Sequence, residues 1–306
     1  MTAWHQFLPG VRTELEVAFG GLQLRVLQRT VAAAAGVRAL TTPDGVTYAM
    51  RPGKRGLPFA CIHGFGGDKE TWLLMSALVP RSRGTLLVDL PGHGQSADVP
   101  ESHASIRHHA EAVLRCLDHA GVDRAIVCGN SMGGGVALRL AVSWPDRVAG
   151  LVLVASIGRD IHDGPARGWI DSDNPLIPRA EDVDRFMEIV LEQPPPVGKA
   201  VLRHVITSRA RSADRLHKLF RGFVLAGDDP AGVPRDVEHI DHRALVIHGE
   251  QDRIISKAVA EDLVHSLPRA ELVVMRGVGH APQLEAPRYT ARIVERFARR
   301  VEGRGW

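Results

Sequence analysis

Eight short apolar runs, separated from the third onward by helical patterns, constrain the fold of this 306-residue sequence more than any other feature. The first two flank the turn sequence Pro43-Asp44-Gly45, which suits an antiparallel hairpin. The later runs are continuous, as is typical of parallel strands buried on both faces. The pattern predicts an α/β fold with a mostly parallel eight-stranded sheet and helices on both faces. The runs are Val37 to Thr41, Val46 to Met50, Pro58 to Ile62, Thr85 to Val88, Ala125 to Cys128, Val148 to Val154, Ala244 to Ile247 and Glu271 to Met275.

The alternation is broken once, between the sixth and the seventh run. Residues 158–241 contain no strand-like run but hold three amphipathic patterns at helical spacing. A segment of this length has few residues with which to close a core of its own. We therefore predict a helical cap over 158–241, inserted between strands 6 and 7 of a core that comprises 37–157 and 242–306. The apolar positions of the three patterns are Val183, Phe186, Met187, Val190 and Leu191, then Val201, Leu202, Val205 and Ile206, then Leu216, Leu219, Phe220, Phe223 and Val224.

Residues 1–36 form a separate N-terminal segment with a helical pattern from Val11 onward, although Gly20 and Gly21 weaken the helix. Its Arg-bearing face would suit a membrane surface. Its apolar stripe would suit packing on the cap or on a second subunit, which is the more frequent use of such a stripe. The stripe comprises Leu15, Ala18, Phe19, Leu22 and Val26.

Composition and charge argue for an ordinary globular protein. Hydrophobic residues make up 44% and charged residues 24% of the chain. The net charge is +3, but basic residues are scattered among 35 acidic ones without a basic run, so we expect no nucleic-acid partner. Cys61, Cys116 and Cys128 lie in strand-like or helical patterns, not at metal-ligand spacing, and are interpreted as reduced core residues. Because neither a membrane span nor a secretory signal is evident, the cytoplasm is the default compartment.

One glycine-serine motif stands where a strand gives way to a helix. The sequence Gly129-Asn130-Ser131-Met132-Gly133 follows the run Ala125 to Cys128 directly and precedes the helical run Met132 to Ser143. A serine in this place stands on a sharp, strained turn, and the flanking glycines let neighbouring backbone pass close. Ser131 is therefore the candidate nucleophile. The N–H of Met132, at a helix N-terminus, is a candidate donor to an oxyanion.

A second oxyanion donor is expected in the loop after the third strand. There the sequence reads His63-Gly64-Phe65-Gly66-Gly67, and the Phe65 N–H is the candidate. We interpret His63 as a loop-fixing residue, because a histidine that opens a glycine loop more often holds that loop by hydrogen bonds than acts as a base. His93, within the segment Asp89 to Ser96, follows another strand in a turn sequence and is also interpreted as structural.

A serine hydroxyl needs a base, and the base needs a carboxylate to orient it. The seventh run leads into His248-Gly249-Glu250-Gln251-Asp252, and the eighth leads into Gly277-Val278-Gly279-His280. Both loops come just beyond strand ends, where a parallel sheet gathers its active groups. Asp252 is therefore the predicted acid and His280 the predicted base. Glu250 and Asp163 compete with Asp252, although a lone carboxylate is usually a solvated loop charge.

Taken together, these motifs resemble the α/β-hydrolase superfamily, from about Val37 to Arg300. Within it, the segments His63 to Trp72 and Asn174 to Pro178 are similar to lipases and monoacylglycerol-lipase-like esterases. The resemblance implies hydrolysis of short or medium acyl esters or of monoacylglycerols through an acyl-enzyme, with no metal or organic cofactor. Membrane-bound relatives carry an apolar N-terminal anchor, whereas residues 11–36 here are amphipathic.

Substrate selection is expected to lie in the cap. Apolar cap residues could line an acyl slot together with Trp72, although such side chains equally serve to bury a cap against its core. The cap residues are Phe186, Met187, Phe220 and Phe223.

Two other functions stay open. The sequence from Gly129 to Gly134 also resembles carbon-carbon bond hydrolases of this fold, which act on vinylogous diketones. A low-turnover small-molecule receptor would keep the same pocket, although all three triad candidates are present here. Dehalogenases and epoxide hydrolases of this fold use an aspartate where Ser131 stands, so the sequence itself disfavours them.

Overall fold

The computed structural model describes residues 9–158, 169, 174–179, 183–193, 199–225 and 236–304. Within these residues, the strands are β1 Arg38–Thr41, β2 Thr47–Arg51, β3 Phe59–Ile62, β4 Thr85–Val88, β5 Ala125–Asn130, β6 Val148–Val154, β7 Ala244–Gly249 and β8 Ala270–Met275. The α-helices are α1 Pro9–Ala35, α2 Leu73–Leu78, α3 Ile106–His119, α4 Met132–Ser143, α5 Val183–Val190, α6 Lys199–Ala210, α7 Ala213–Leu225, α8 Lys257–Ser266, α9 Pro282–Glu285 and α10 Pro287–Val301. Each of the eight apolar runs is thus confirmed as a strand.

The eight strands form one sheet in the order β1-β2-β4-β3-β5-β6-β7-β8. The pairs β1–β2 and β2–β4 are antiparallel, and every later pair is parallel. The predicted mostly parallel sheet and its N-terminal hairpin are therefore confirmed. The central strands are continuous apolar segments because both of their faces are covered, and every residue of β6 is buried. The edge strand β1 is largely exposed.

Helices cover both faces of the sheet and divide the core into two layers. Alternate residues of β3 enter different layers, as the twofold period of a strand requires: Ala60 and Ile62 pack in one, Phe59 and Cys61 in the other. Helices α3, α4 and α8 pack in the first layer, and helices α2 and α10 pack in the second. All three cysteines are free and buried, as the sequence predicted.

The helices α5, α6 and α7 lie between β6 and β7 in the chain, where the cap was predicted. The domain boundaries at 158 and 241 stay a prediction. The N-terminal helix α1 packs on both α6 and α2. Gly20 makes the first contact close, since a Cβ there would overlap the backbone of Ala200. Of the apolar stripe, Leu22 and Val26 are 53% and 58% exposed, so these two side chains do not make the packing contact.

No helix in the described part of the chain is both long and apolar enough to span a bilayer.

Candidate active site

Ser131 occupies a strained turn between β5 and α4. Its φ and ψ are 55° and −119°, a conformation that non-glycine residues rarely adopt. Its side chain makes no capping hydrogen bond to α4, so the hydroxyl is not committed to the helix. The turn closes tightly because Gly129 and Gly133 carry no side chain. A Cβ at Gly129 would overlap the Gly133 carbonyl, and one at Gly133 would overlap the Ile62 carbonyl.

We expect Gly129→Ala to destabilise the protein by about 1–3 kcal/mol, the usual cost of forcing an extra methyl group into close packing. The clash is with backbone that cannot rotate away. Gly135→Ala is the matched control, because its Cβ would meet the movable end of the Ile157 side chain. Urea unfolding of both variants measures the difference. Equal stabilities for the two variants would contradict the proposed closeness of the turn.

Two loops bring His280 and Asp252 together beyond the ends of β8 and β7. The Nδ1 of His280 lies 2.8 Å from Oδ2 of Asp252. The side chain of Asp252 is fully buried, and that of His280 is 8% exposed. The amide of Asn130, next to Ser131, donates to the His280 carbonyl oxygen at 3.2 Å. This bond ties the end of β5 directly to the loop that carries the candidate base.

The hydrogen bonds around Asp252 orient its carboxylate toward His280. Its Oδ1 accepts from the backbone N–H groups of Ile254 and Ile255, at 2.8 and 3.0 Å, which leaves Oδ2 for the imidazole. Burial raises the pKa of Asp252, but His280 and the hydrogen bonds outweigh it, and the net pKa is lower than usual. The group is therefore an anion at neutral pH, as an orienting carboxylate must be.

The competing acids are placed differently. Glu250 is exposed and lies beside Gln251 and Arg276, at 3.1 and 3.7 Å. Asp163 lies outside the described residues.

The loop after β3 is a tight turn whose peptides are fixed by hydrogen bonds. The N–H of Gly67 donates to the Gly64 carbonyl oxygen at 3.0 Å, and Nδ1 of His63 lies 2.7 Å from the same oxygen. Nε2 of His63 accepts from the Leu90 N–H at 3.0 Å, so Nδ1 is the protonated nitrogen and donates to Gly64. Because the Gly64 oxygen and the Phe65 N–H belong to one peptide, these bonds also orient the Phe65 N–H. The structural interpretation of His63 is confirmed.

Among the described residues, neither candidate oxyanion donor is used elsewhere. The N–H groups of Phe65 and Met132 donate to no backbone or side-chain acceptor in this part of the chain. Met132 begins α4, where the first N–H groups of a helix have no partner within the helix. Gly64 brings the two segments together, since a Cβ there would lie 3.0 Å from the Ser131 Cβ.

Two further buried histidines lie beside this turn. His93 packs against Phe65 at 5.6 Å and against His109 at 5.9 Å between ring centroids. The Nδ1 of His93 lies 3.0 Å from the Pro91 carbonyl oxygen, within the turn that redirects the chain, as the sequence suggested. Burial lowers the pKa of both histidines, that of His109 to about 3. Both side chains are therefore neutral at physiological pH.

We expect His109 to make the protein acid-sensitive. Its pKa is lower in the folded than in the unfolded state, so its contribution to stability is complete above about 6.5 and is lost as pH falls below that value. Between pH 7.5 and 5.5 the loss amounts to about 1.4 kcal/mol. Denaturant unfolding at both pH values measures this. The free energy of unfolding of His109→Phe should fall between pH 7.5 and 5.5 by about 1.4 kcal/mol less than that of the wild type. An unchanged drop would contradict a buried neutral His109.

The cap residues predicted to bind substrate fall into two groups. Phe220 and Phe223 of α7 are buried against Phe65, at 5.2 and 6.4 Å between ring centroids. Phe186 and Met187 of α5 form a separate small cluster with α6. Trp72 joins neither group. It is fully buried in the layer under α2 and α10, on the other face of the sheet from Phe220.

Two polar residues that sequence reasoning did not single out connect the predicted cap to this site. Glu285 accepts from the N–H groups of Gly279 and Ala281, on either side of His280, and from those of Glu192 and Gln193 after α5. Arg209 of α6 donates from Nη2 to the Phe65 carbonyl oxygen at 2.7 Å. Neither residue belongs to a motif, so no local signal in the sequence could have identified it.

Comparison with known proteins places these features in a family. Residues 59–293 of this chain match the model of a protein family that is described as "Alpha/beta hydrolase family". The acetyltransferase component of an acetoin cleaving system from Pseudomonas putida is 32% identical over 76% of this chain and 61% of its own length. A 2-hydroxymuconate semialdehyde hydrolase from Pseudomonas putida is 29% identical, over 79% of this chain and 87% of that protein. Lipase 3 of a Moraxella species is 26% identical, over 85% of this chain and 84% of that protein.

The chain spans about 60% of the length of the first two curated relatives, which are acetyltransferase components. Among solved structures, a membrane phospholipase A superposes with a TM-score of 0.81 at 25% identity, covering 97% of this chain and 99% of that one. The superposition therefore extends over nearly the whole length of this chain. The sheet, the helices on both faces and the match over residues 59–293 have one explanation: the chain belongs to the α/β-hydrolase family.

Proposed function

We propose that this protein is a serine hydrolase that cleaves carboxylic esters, short or medium acyl esters or monoacylglycerols, through an acyl-enzyme. The observation that carries the proposal is the His280–Asp252 pair at 2.8 Å, in loops tied to the turn that carries Ser131. Sequence relatives among the lipases support the ester class.

The proposed mechanism assigns each group one task. His280 takes the proton of Ser131, and Ser131 attacks the ester carbonyl. The N–H groups of Phe65 and Met132 stabilise the oxyanion, and the alcohol leaves with a proton from His280. Water activated by His280 then releases the acid. Asp252 holds the imidazole in the tautomer with Nδ1 protonated and stabilises its charged form.

The site has apolar surroundings on the side of the predicted cap. These surroundings favour binding of the acyl chain of the substrate there. Phe220 and Phe223 pack against Phe65, whose N–H is a proposed oxyanion donor. An acyl chain bound at the accessible edge of this cluster, where Phe65 is 7% exposed, would be desolvated next to the reacting carbonyl. Burial of apolar surface stabilises binding by about 0.8 kcal/mol for each CH₂ group, so turnover should depend on chain length.

The test is steady-state hydrolysis of p-nitrophenyl esters from acetate to palmitate, with a monoacylglycerol alongside. We expect kcat/KM to peak at one chain length. Flat or absent turnover across the series and the monoacylglycerol would contradict the proposal.

A second candidate is carbon-carbon bond hydrolysis, which the 2-hydroxymuconate semialdehyde hydrolase relative supports. A serine, histidine and aspartate on this fold would serve that reaction as well. Spectroscopic loss of a coloured dienolate substrate, measured on the same preparation, separates the two. Turnover of the dienolate with no ester turnover would favour the second candidate.

A further inference from the structure

We propose that Arg209, in the cap helix α6, is a positioning residue that holds the oxyanion turn Gly64–Gly67 in one of two conformations. The inference rests on the proposed function, because it gives a role to the loop that carries the Phe65 N–H. Arg209 contacts the loop backbone and is not proposed to contact substrate.

The geometry of β-turns offers this loop two conformations, of which the structure shows one. Its Gly67 N–H donates to the Gly64 carbonyl oxygen, and Gly66 has a φ of +66°, which makes it a type II turn. A type I turn differs mainly by a flip of the central peptide, here Phe65–Gly66. Glycine at the third position accepts a φ of either sign, so sterics do not choose between the two forms.

Arg209 favours the type II form of the turn over the type I form. Its Nη2 donates to the Phe65 carbonyl oxygen at 2.7 Å, and that oxygen belongs to the peptide that would flip. A flip would turn the oxygen away and present the Gly66 N–H to the guanidinium, so that a donor would face a donor. Gly66 also leaves the room that the guanidinium occupies, since a Cβ there would overlap Arg209.

The guanidinium is itself held in place. The Cζ of Arg209 lies 5.0 Å from the centroid of the Phe186 ring, a cation–π contact. Burial lowers the pKa of Arg209 to about 10, partly opposed by Asp68, so the group remains a cation at neutral pH. The helix that carries it is fixed on α1 through the close contact of Gly20 with Ala200. The position of the cap is thereby linked to the shape of the oxyanion turn.

The closing experiment compares Arg209→Met, Arg209→Lys and the control Arg211→Met, which changes an exposed arginine two residues further along. For each protein, kcat and KM are measured on the best p-nitrophenyl ester, together with the rate of phosphylation of Ser131 by diethyl p-nitrophenyl phosphate and the melting temperature. The phosphylation transition state also places negative charge in the oxyanion site.

We expect Arg209→Met to lower kcat and the phosphylation rate by about three- to tenfold, less than the 10²–10³ for deleting an oxyanion donor, because Phe65 loses the anchor of its carbonyl group while His63 still holds the Gly64–Phe65 peptide that carries the donor. KM should change by less than about twofold, and Arg209→Lys should recover part of kcat. A loss confined to KM, or wild-type kcat in Arg209→Met, would overturn the inference. Wild-type protein that neither hydrolyses esters nor reacts at Ser131 would instead overturn the proposed function.

Discussion

Changing Ser131 to alanine is expected to lower kcat for the preferred ester by about 10⁴- to 10⁶-fold, the range seen when a serine nucleophile is removed from a complete triad. The rest of the site should persist, because the Ser131 side chain makes no capping bond to α4. Alanine carries the same Cβ as serine, so the strain at φ 55° is unchanged.

Stability is the control for this variant. The melting temperature of Ser131→Ala should stay within a few degrees of that of the wild type, while turnover disappears. Turnover close to wild type in a folded variant would remove Ser131 from the mechanism. Loss of both folding and turnover would contradict the finding that the hydroxyl makes no capping bond to α4.

The second large effect is expected from Asp252→Asn. The backbone N–H groups of Ile254 and Ile255 both donate to Oδ1, so the asparagine carbonyl oxygen should take that place and its NH₂ should face His280. An NH₂ donor opposite Nδ1 selects the tautomer with the proton on Nε2. That nitrogen then cannot accept the Ser131 proton, and kcat should fall by about 10⁴-fold.

Glu250→Gln is the matched control for Asp252→Asn. Glu250 lies two residues earlier in the same loop, is exposed, and was the competing acid in the sequence. Its removal should leave kcat within about twofold of the wild type. A large loss for Glu250→Gln with a small one for Asp252→Asn would reverse the assignment of the acid.

Sequence pattern predicted the parts of this molecule that local physics determines. The apolar runs became strands because continuous burial on both faces requires apolar residues, as in β6. Ser131 and its glycines were found because a tight turn between a strand and a helix has a composition of its own. The pairing of Asp252 with His280 was predictable because both residues follow strand ends that converge at one edge of the sheet, while their roles as acid and base stay a prediction.

The remaining features depend on contacts between distant segments, which spacing does not record. Trp72 follows the oxyanion loop closely in sequence, yet its side chain packs in the second layer of the core, under α2 and α10. Glu285 and Arg209 act through backbone groups far along the chain, and any exposed arginine or glutamate would look the same in the sequence. Gly20 weakens α1 as an isolated helix, but it lets α6 approach closely.

The most direct test of the central claim is stoichiometric labelling with a fluorophosphonate, followed by intact mass, peptide mapping and residual turnover of a p-nitrophenyl ester. We predict one adduct per chain, located on Ser131, with turnover lost in proportion to labelling and no adduct on Ser131→Ala. Ester turnover that persists in fully labelled protein, or an adduct on another residue, would contradict the assignment of Ser131 as the nucleophile of an ester hydrolase.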